Sequence, residues 1–269
     1  MGQPVDISTT TSRLRSKAQQ LGDGQGAYSQ AGRPRVDPYG GGYVAPVWFD
    51  KKQHADEGSY FVAHSPTPGT AVAYALQTTY SDTANGLFVF QNNAPVGSNI
   101  NCAIDYLRLI QTATAPTGTL AMDFVIRTDS VAMTPTANSL QIAGGQTANY
   151  IFNTNHNDNT PHNMNIWAFS AGAMTVPASS ASARRVGRPR IVTGVTVTHD
   201  VFELQFGAVD RNNGSAGLTA ARATAPANMI GHCAPFILQP QQWGVVLMWW
   251  ITAAANTPSF EYEIGMVIR

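Results

Sequence analysis

The sequence predicts an all-β fold, an antiparallel sandwich or barrel preceded by an extended N-terminal arm. Short segments of alternating or continuous apolar residues follow one another from Ser59 onward. Turn-rich linkers such as TATAPTG and TAAANTP separate these segments. The chain offers only one helix candidate, at about residues 9–21, where Thr or Ser is available as the N-cap. Many short strands with frequent turn signals and one weak helix are typical of a β-sandwich or barrel.

Residues 1–57 differ in composition from residues 58–269. They contain GDGQG, YGGGY and four prolines, and they show little periodicity. We therefore predict an extended arm with at most one short helix, followed by a β-sandwich body. Such an arm buries too little apolar surface to order by itself. We expect neighbouring subunits to hold it in place.

The strand candidates in the body show the two-residue period of β-structure. The first are SYFVAHS (59–65), TAVAYALQTTY (70–80) and GLFVFQN (86–92). Three later segments alternate apolar with polar positions over most of their length. Their apolar positions are Leu120, Met122, Phe124 and Ile126; Phe202, Leu204 and Phe206; and Phe260, Tyr262, Ile264, Met266 and Ile268. The intervening positions include Asp123 and Arg127; Val201, Glu203 and Gln205; and Glu261, Glu263 and Arg269.

The segment WGVVLMWWI, residues 243–251, is apolar at every position and contains three tryptophans. It is far shorter than the ~18–20 apolar residues of a transmembrane helix and has the length of a buried strand. We predict a central strand covered on both faces, joined to the segment 259–269 by TAAANTP as an antiparallel hairpin. Its cover is either the chain's own second sheet or another subunit. Trp249 and Trp250 are candidates for a subunit interface because such interfaces are enriched in aromatic residues.

The composition favours a chain that packs against other chains. Charged residues make up 12%, about half the usual ~25%, and the formal net charge is zero. Soluble domains generally carry net charge and a mixed charged surface. The sequence shows no transmembrane segment and no apolar signal-peptide segment near its first residues, so no membrane partner is expected. Cys102 and Cys233 are expected to be two buried free thiols, although one long-range disulfide remains an alternative.

The densest polar stretch is NTNHNDNTPHN, residues 153–163, which offers His156, Asp158 and His162. Two imidazoles and a carboxylate are suitable ligands for zinc or a similar ion. Their spacing matches no established zinc motif, and asparagine is common in loops because its side chain imitates backbone turns. We interpret this stretch as a surface loop with weak metal candidates, and we expect no metal and no cofactor.

Another polar stretch, SARRVGRPRIV at residues 182–192, contains Arg184, Arg185, Arg188 and Arg190. GRPR also occurs at residues 32–35, and a Gly-Arg-Pro core flanked by arginines is similar to minor-groove DNA-binding segments. The neutral chain lacks the basic footprint that nucleic-acid binding requires, so a nucleic-acid partner is not expected. We predict that the four arginines pair with carboxylates or carbonyl oxygens of a neighbouring subunit.

No sequence motif indicates catalysis. The sequence contains no Gly-x-Ser-x-Gly elbow, no His-Glu-x-x-His and no phosphate-binding loop. Glu261 and Glu263 share one face of a predicted strand. We interpret this face as exposed to solvent or to another subunit rather than as a catalytic carboxylate pair. His64 and the pair His199–Asp200 are isolated candidates. We therefore expect a protein that is not an enzyme.

Two stretches resemble bacteriophage virion proteins. These are LRLIQTATAPTGTLAMDFVIRTDS (107–130) and CAPFILQPQQWGVVLMWWITAAANTPSFEYEIGMVIR (233–269). The stretch 233–269 is similar to the closing hairpin of jelly-roll subunits in phage capsid-decoration, head-fibre and tail proteins. The resemblance implies a jelly-roll-like β-sandwich and a structural role in the virion. The helix-rich fold of tailed-phage major capsid proteins does not fit, because long helices are missing.

The resemblance implies a capsid decoration or cement protein located in the virion. It would associate with itself, with a trimer favoured, and bind other virion proteins, including the major capsid protein. The predicted anchors are Arg13, Arg15, Arg33 and Arg35 in the arm and Arg184, Arg185, Arg188 and Arg190 in the body. Three alternatives remain. One is a tail or fibre component that contacts host glycans through Tyr80, Tyr150 and the Asn-rich loop. Another is a jelly-roll capsid subunit, and the last is a carbohydrate-binding module or enzyme outside a virion.

Overall fold

A computed structural model gives the architecture of the chain. It describes residues 54–55, 57–67, 69–74, 78–113, 120–143, 150–155, 162–193, 198–207, 228–250 and 257–269, with the short strands Arg35–Val36 and Gly42–Tyr43. The chain divides into two units, residues 1–57 and residues 58–269. The helix predicted at residues 9–21 lies outside the described residues. None of the helices in the described part is long and apolar enough to cross a membrane.

Every named element in the described residues is a β-strand. In the first unit, β1 (Arg35–Val36) pairs antiparallel with β2 (Gly42–Tyr43). The strands of the second unit are β3 (Tyr60–His64), β4 (Val72–Ala73), β5 (Gly86–Asn92), β6 (Cys102–Ala113), β7 (Leu120–Asp129), β8 (Ser139–Ala143), β9 (Ile151–Asn153), β10 (Met164–Phe169), β11 (Arg184–Gly187), β12 (Arg190–Thr193), β13 (Val201–Phe206), β14 (Asn228–Cys233), β15 (Phe236–Leu238), β16 (Trp243–Trp250) and β17 (Ser259–Ile268).

The second unit consists of two sheets. The seven-stranded sheet has the order β11-β7-β16-β5-β10-β8, and β12 also pairs with β7. The eight-stranded sheet has the order β14-β13-β6-β17-β3-β9, with β15 on β6 and β4 on β17. All pairings are antiparallel except that of β13 with β14 at one edge. The prediction of an all-β antiparallel sandwich is therefore confirmed.

The strand pairing has the nested order of a jelly roll. The outermost strands in chain order, β3 and β17, pair with each other, and so do β5 with β16, β6 with β13, and β7 with β11 and β12. The nested pairs alternate between the two sheets, as in a long hairpin wrapped around a barrel. Further strands extend the sheets: β10 and then β8 lie beyond β5, β14 lies beyond β13, and β9 lies beyond β3, while β15 pairs with β6 and β4 with β17.

The predicted alternation is confirmed as alternating burial in β13 and in most of β17, whereas β7 is buried on both faces from Met122 to Arg127. In β13, Phe202, Leu204 and Phe206 are buried, whereas the side chains between them are half-buried. The same alternation holds for most of β17. Because alternate side chains of a strand point to opposite faces, one face of each strand packs between the two sheets.

Strand β16 is central and buried on both faces, as the sequence predicts. Its even-numbered positions face the other sheet. Gly244 lies so close to Phe236 of β15 that a Cβ atom would stand 2.5 Å from the ring carbon Cζ. Its odd-numbered positions lie on the outer face, where Trp249 is opposite Asp123.

The predicted hairpin between β16 and β17 is wrong. β16 pairs with β5 and β7, whereas β17 pairs with β3 and β6 in the other sheet. The connection between them therefore crosses from one sheet to the other. Each of the two strands is central in its own sheet and has a partner on both sides, so neither is available to the other.

Aromatic side chains fill the centre of the sandwich. Phe88 contacts Phe90, Phe169 and Tyr262, with ring centroids 5.3–6.2 Å apart. The buried hydroxyl of Tyr74 donates to the carbonyl oxygen of Met248 at 2.7 Å. The prediction of buried free thiols is confirmed, because Cys102 and Cys233 are both buried and unpaired with each other. Burial raises the pKa of the Cys233 thiol to about 12.

Candidate subunit interface

The predicted arginine segment forms one edge of the seven-stranded sheet. β11 and β12 both pair with β7 on the side away from β16. Arg188 and Pro189 separate β11 from β12, and the carbonyl oxygen of Pro189 accepts a hydrogen bond from the backbone N–H of Phe124 at 3.0 Å. A proline has no N–H to donate to a ladder, so an edge position suits it. Charged side chains also protect sheet edges from unwanted pairing.

Arg188 and Arg190 bind a carboxylate of their own chain. Arg190 lies directly opposite Asp123 and donates to it from Nε at 2.5 Å and from Nη2 at 3.0 Å. Arg188 Nη2 donates to the same carboxylate at 3.3 Å. Asp123 is only 2% exposed, while both guanidinium groups reach the surface. The hydrogen bond to Asp123 raises the pKa of Arg190. Strand register therefore supplies both arginines with a carboxylate in their own chain, and their contact with a neighbouring subunit stays a prediction.

Arg184 and Arg185 are exposed and have no carboxylate partner among the described residues. The guanidinium of Arg185 lies 5.9 Å from the centre of the Tyr80 ring. The backbone of both arginines is fixed by pairing with Thr128 and Arg127 of β7. The two arginines therefore start from fixed positions on the sheet edge, and their side chains are exposed.

The predicted interface tryptophans are covered by the chain itself. Trp249 is buried on the outer face, where Tyr80 packs edge-on at 5.0 Å and Arg188 lies 5.8 Å from the ring centre. Trp250 is buried on the inner face. Tyr80 is half-buried, and Tyr150 packs against the core. Both indole rings are therefore buried by contacts within one chain. Their role in a subunit contact stays a prediction.

A polar layer on the outer face of β7 was not found from the sequence. Asp123, Arg127 and Asp129 share this face and are all buried. Residues 177–182 contact this face, and the backbone shortly before them joins β5 at Gly86, where Met174 both donates and accepts a hydrogen bond. Two features of the sequence could have revealed this polar layer. They are the three charged residues on one face of the predicted strand and the later serine-rich stretch PASSASARR. Buried charges need partners, and that stretch supplies hydrogen-bond partners for Arg127 and Asp129.

Two carboxylates hold this covering segment. Asp129 accepts hydrogen bonds from the hydroxyl of Ser180 at 2.5 Å and that of Ser182 at 2.8 Å. Asp82 accepts the N–H of Ser179 at 2.8 Å and forms an ion pair with the buried Arg127. Burial alone would raise both carboxyl pKa values, but these donors outweigh it and lower each pKa to about 2.

The depressed pKa values predict a loss of stability in acid. An aspartate whose pKa is near 2 in the folded state and about 4 in the unfolded state contributes roughly 2 kcal/mol to the free energy of unfolding at pH values above 4. This contribution is lost as the pH falls towards 2. Wild type should therefore lose its stability advantage over Asp129→Asn by roughly that amount between about pH 5 and pH 2. Chemical denaturation at several pH values measures this difference. A difference that stays constant with pH would contradict the assignment.

The outer face of the eight-stranded sheet carries another network. Arg108 donates to Glu203 from Nε and to Glu263 from Nη1, both at 2.9 Å. The hydroxyl of Tyr106 donates to Glu263, and that of Tyr60 donates to Asp105, each at 2.6 Å. Glu261 and Glu263 share a face, as predicted. Glu263 is one member of this network of pairs between neighbouring strands.

The metal candidates do not come together in the described residues. His156 and Asp158 lie outside the described residues. His162 Nδ1 accepts the N–H of Met164 at 3.0 Å, and its ring packs edge-on against Phe61 at 6.2 Å. Burial lowers the pKa of His162. Within the described residues, no three His, Cys, Asp or Glu side chains are grouped closely enough to hold a metal ion.

The predicted anchors in the arm are largely outside the described residues. Arg13, Arg15 and Arg33 all lie in that part of the chain. Arg35 begins β1 and pairs with Tyr43 of β2, but its side chain is not among the described ones.

The comparisons with known proteins add no relative. No protein-family model matches the chain, and neither the curated proteins nor the solved structures contain a significant match. The candidate site therefore depends on the geometry of this chain alone.

Proposed function

We propose that the chain is a non-enzymatic structural subunit of a bacteriophage virion, a capsid decoration or cement protein. Its β-sandwich would self-associate, with a trimer favoured, and residues 1–57 would dock on the shell formed by the major capsid protein. The observation that best supports this proposal is the nested jelly-roll order of the body, a fold used by viral capsid domains. Lectins and cupins use the same fold, so the support from the fold is an analogy.

The composition supports the same proposal independently. Only 12% of the residues are charged and the net charge is zero, which suits a surface that other chains cover. Residues 1–57 combine two glycine-rich segments with Arg13, Arg15, Arg33 and Arg35. An extended arm with distributed arginines suits a cement protein, because several weak contacts on adjacent subunits add up through a high effective concentration.

Light scattering of the purified chain tests the proposal. The full chain and a variant of residues 58–269 should both form a defined oligomer, with a trimer expected. The body contains its own core, so removal of the arm should leave its folding cooperative. Thermal unfolding of both forms provides the control. Only the full chain should then bind to assembled capsid shells in co-sedimentation.

The same experiment can contradict the proposal. A monodisperse monomer in both forms at high concentration, without arm-dependent association, would exclude a cement role. That result would favour a glycan-binding or enzymatic module instead.

A further inference from the structure

The outer face of the eight-stranded sheet is acidic. Strand register places Glu263, Arg108 and Glu203 side by side across three neighbouring strands. Glu261 lies on the same face two residues before Glu263, and Asp105 lies at a bulge of β6. We call the surface formed by these five residues the carboxylate face; they are four carboxylates and one guanidinium, and Arg269 follows the end of β17.

Apolar side chains frame the carboxylate face. Glu261 is directly opposite Ile110, which is opposite Val201 in the next strand, and all three are half-buried. Ile230 lies opposite Glu203 on β14, and Ile237 lies on β15; both are about half exposed. A protein–protein contact can use such apolar side chains for buried area and the charges beside them for complementary pairing.

The two outer faces of the sandwich differ in what covers them. On the seven-stranded sheet, residues 177–182 contact the buried Arg127 and Asp129, and the side chains of Arg188 and Arg190 contact the buried Asp123. On the carboxylate face, each hydrogen bond described for Arg108, Glu203 and Glu263 joins strands of the same sheet or neighbours on one strand. Among the described residues, Glu261 forms no ion pair and no hydrogen bond to a side chain. Arg184 likewise forms neither among these residues.

We infer that the arginine edge of one copy, Arg184 and Arg185, binds the carboxylate face of a second copy near Glu261. The chain is neutral overall, so each surface finds its complementary charge on the same kind of chain. Within one copy the two surfaces are fixed by strand pairing in different sheets. The contact therefore joins two molecules. This inference depends on the self-association in the proposed function, to which it adds the contact residues.

The contact is heterologous, because two different surfaces meet. Each copy has one arginine edge and one carboxylate face, so the contact can repeat from copy to copy. Such head-to-tail contacts produce a closed ring when the rotation closes. A ring of this kind would leave the arm of every copy on an equivalent position around the axis.

Charge reversal at one residue of each surface tests the inference. Arg184→Glu and Glu261→Arg each place like charges opposite each other and should raise the dissociation constant at least roughly tenfold. The double variant Arg184→Glu/Glu261→Arg restores opposite charges and should return it to within about threefold of wild type. Sedimentation of the full chain measures all four. Wild-type association should also weaken as salt rises from about 0.05 to about 0.5 M.

Val96→Glu and Val96→Arg serve as matched controls, because Val96 is highly exposed in the loop between β5 and β6. Both should associate like wild type. If wild type forms an oligomer that neither single reversal weakens, the inferred contact is wrong while the proposed self-association stands. Single variants that weaken association without rescue by the double variant would also overturn the contact. A monomeric wild type would remove both.

Discussion

Replacing Phe88 with alanine is expected to lower the free energy of unfolding by about 4 kcal/mol. Phe88 is fully buried in the seven-stranded sheet and contacts aromatic rings of both sheets, among them Phe169 and Tyr262. Truncation removes a large apolar side chain and leaves a cavity that the surrounding strands cannot close. Chemical denaturation of the body measures the change.

The control for this prediction is the same substitution at an exposed phenylalanine. Phe152 in β9 is 49% exposed, and its ring stacks on that of His64. Phe152→Ala should change the free energy of unfolding by less than about 1 kcal/mol. Equal effects at the two positions would mean that Phe88 does not lie at the centre of the core.

Replacing Asp82 with alanine is expected to lower the free energy of unfolding by about 3–5 kcal/mol. Asp82 is the carboxylate partner of Arg127, whose side chain is only 3% exposed. In its absence Arg127 retains a hydrogen bond to the carbonyl oxygen of Pro177, but its buried charge loses the ion pair that it forms in the described part of the chain. The large effect comes from this orphaned cation, because an uncompensated buried charge costs more than the ion pair contributes.

A further substitution distinguishes the burial of an unpaired charge from a general loss of packing. Arg127→Met in the Asp82→Ala background removes the buried charge and should recover most of the lost stability. Glu263→Ala is the control, since Arg108 is 35% exposed and keeps Glu203 as a partner, so the expected cost is about 1 kcal/mol or less. If the double variant is no more stable than Asp82→Ala, charge burial is not the cause.

The strand identities could be predicted because each strand has a local signature. Alternation in β7, β13 and β17 follows directly from the two-residue period of side chains. The burial of β16 on both faces follows from its lack of any polar residue. These inferences need no knowledge of which strands are neighbours.

The partners of the strands could not be predicted, because pairing in this fold joins distant residues. TAAANTP has the composition of a hairpin loop, yet the strands on either side belong to different sheets. The same limit explains the arginine segment: Asp123 and Arg190 are separated by 67 residues and meet only through the register of β7 and β12. The covering segment likewise depends on contacts between residues 79–86, 127–129 and 171–190 that no local pattern encodes.

The nested strand order has a consequence for the synthesis of the protein. β16 and β17 come last among the described strands, yet each occupies the middle of its sheet. An emerging chain that ends before residue 243 lacks the strands that join β5 to β7 and β3 to β6. The seven-stranded sheet therefore cannot close until residues up to 250 have emerged, and the eight-stranded sheet cannot close until residues up to 268 have emerged. Pairing between the outermost strands also requires a long loop to close, which slows folding. During that interval the apolar strands remain exposed, and chaperones would have their longest opportunity to bind them.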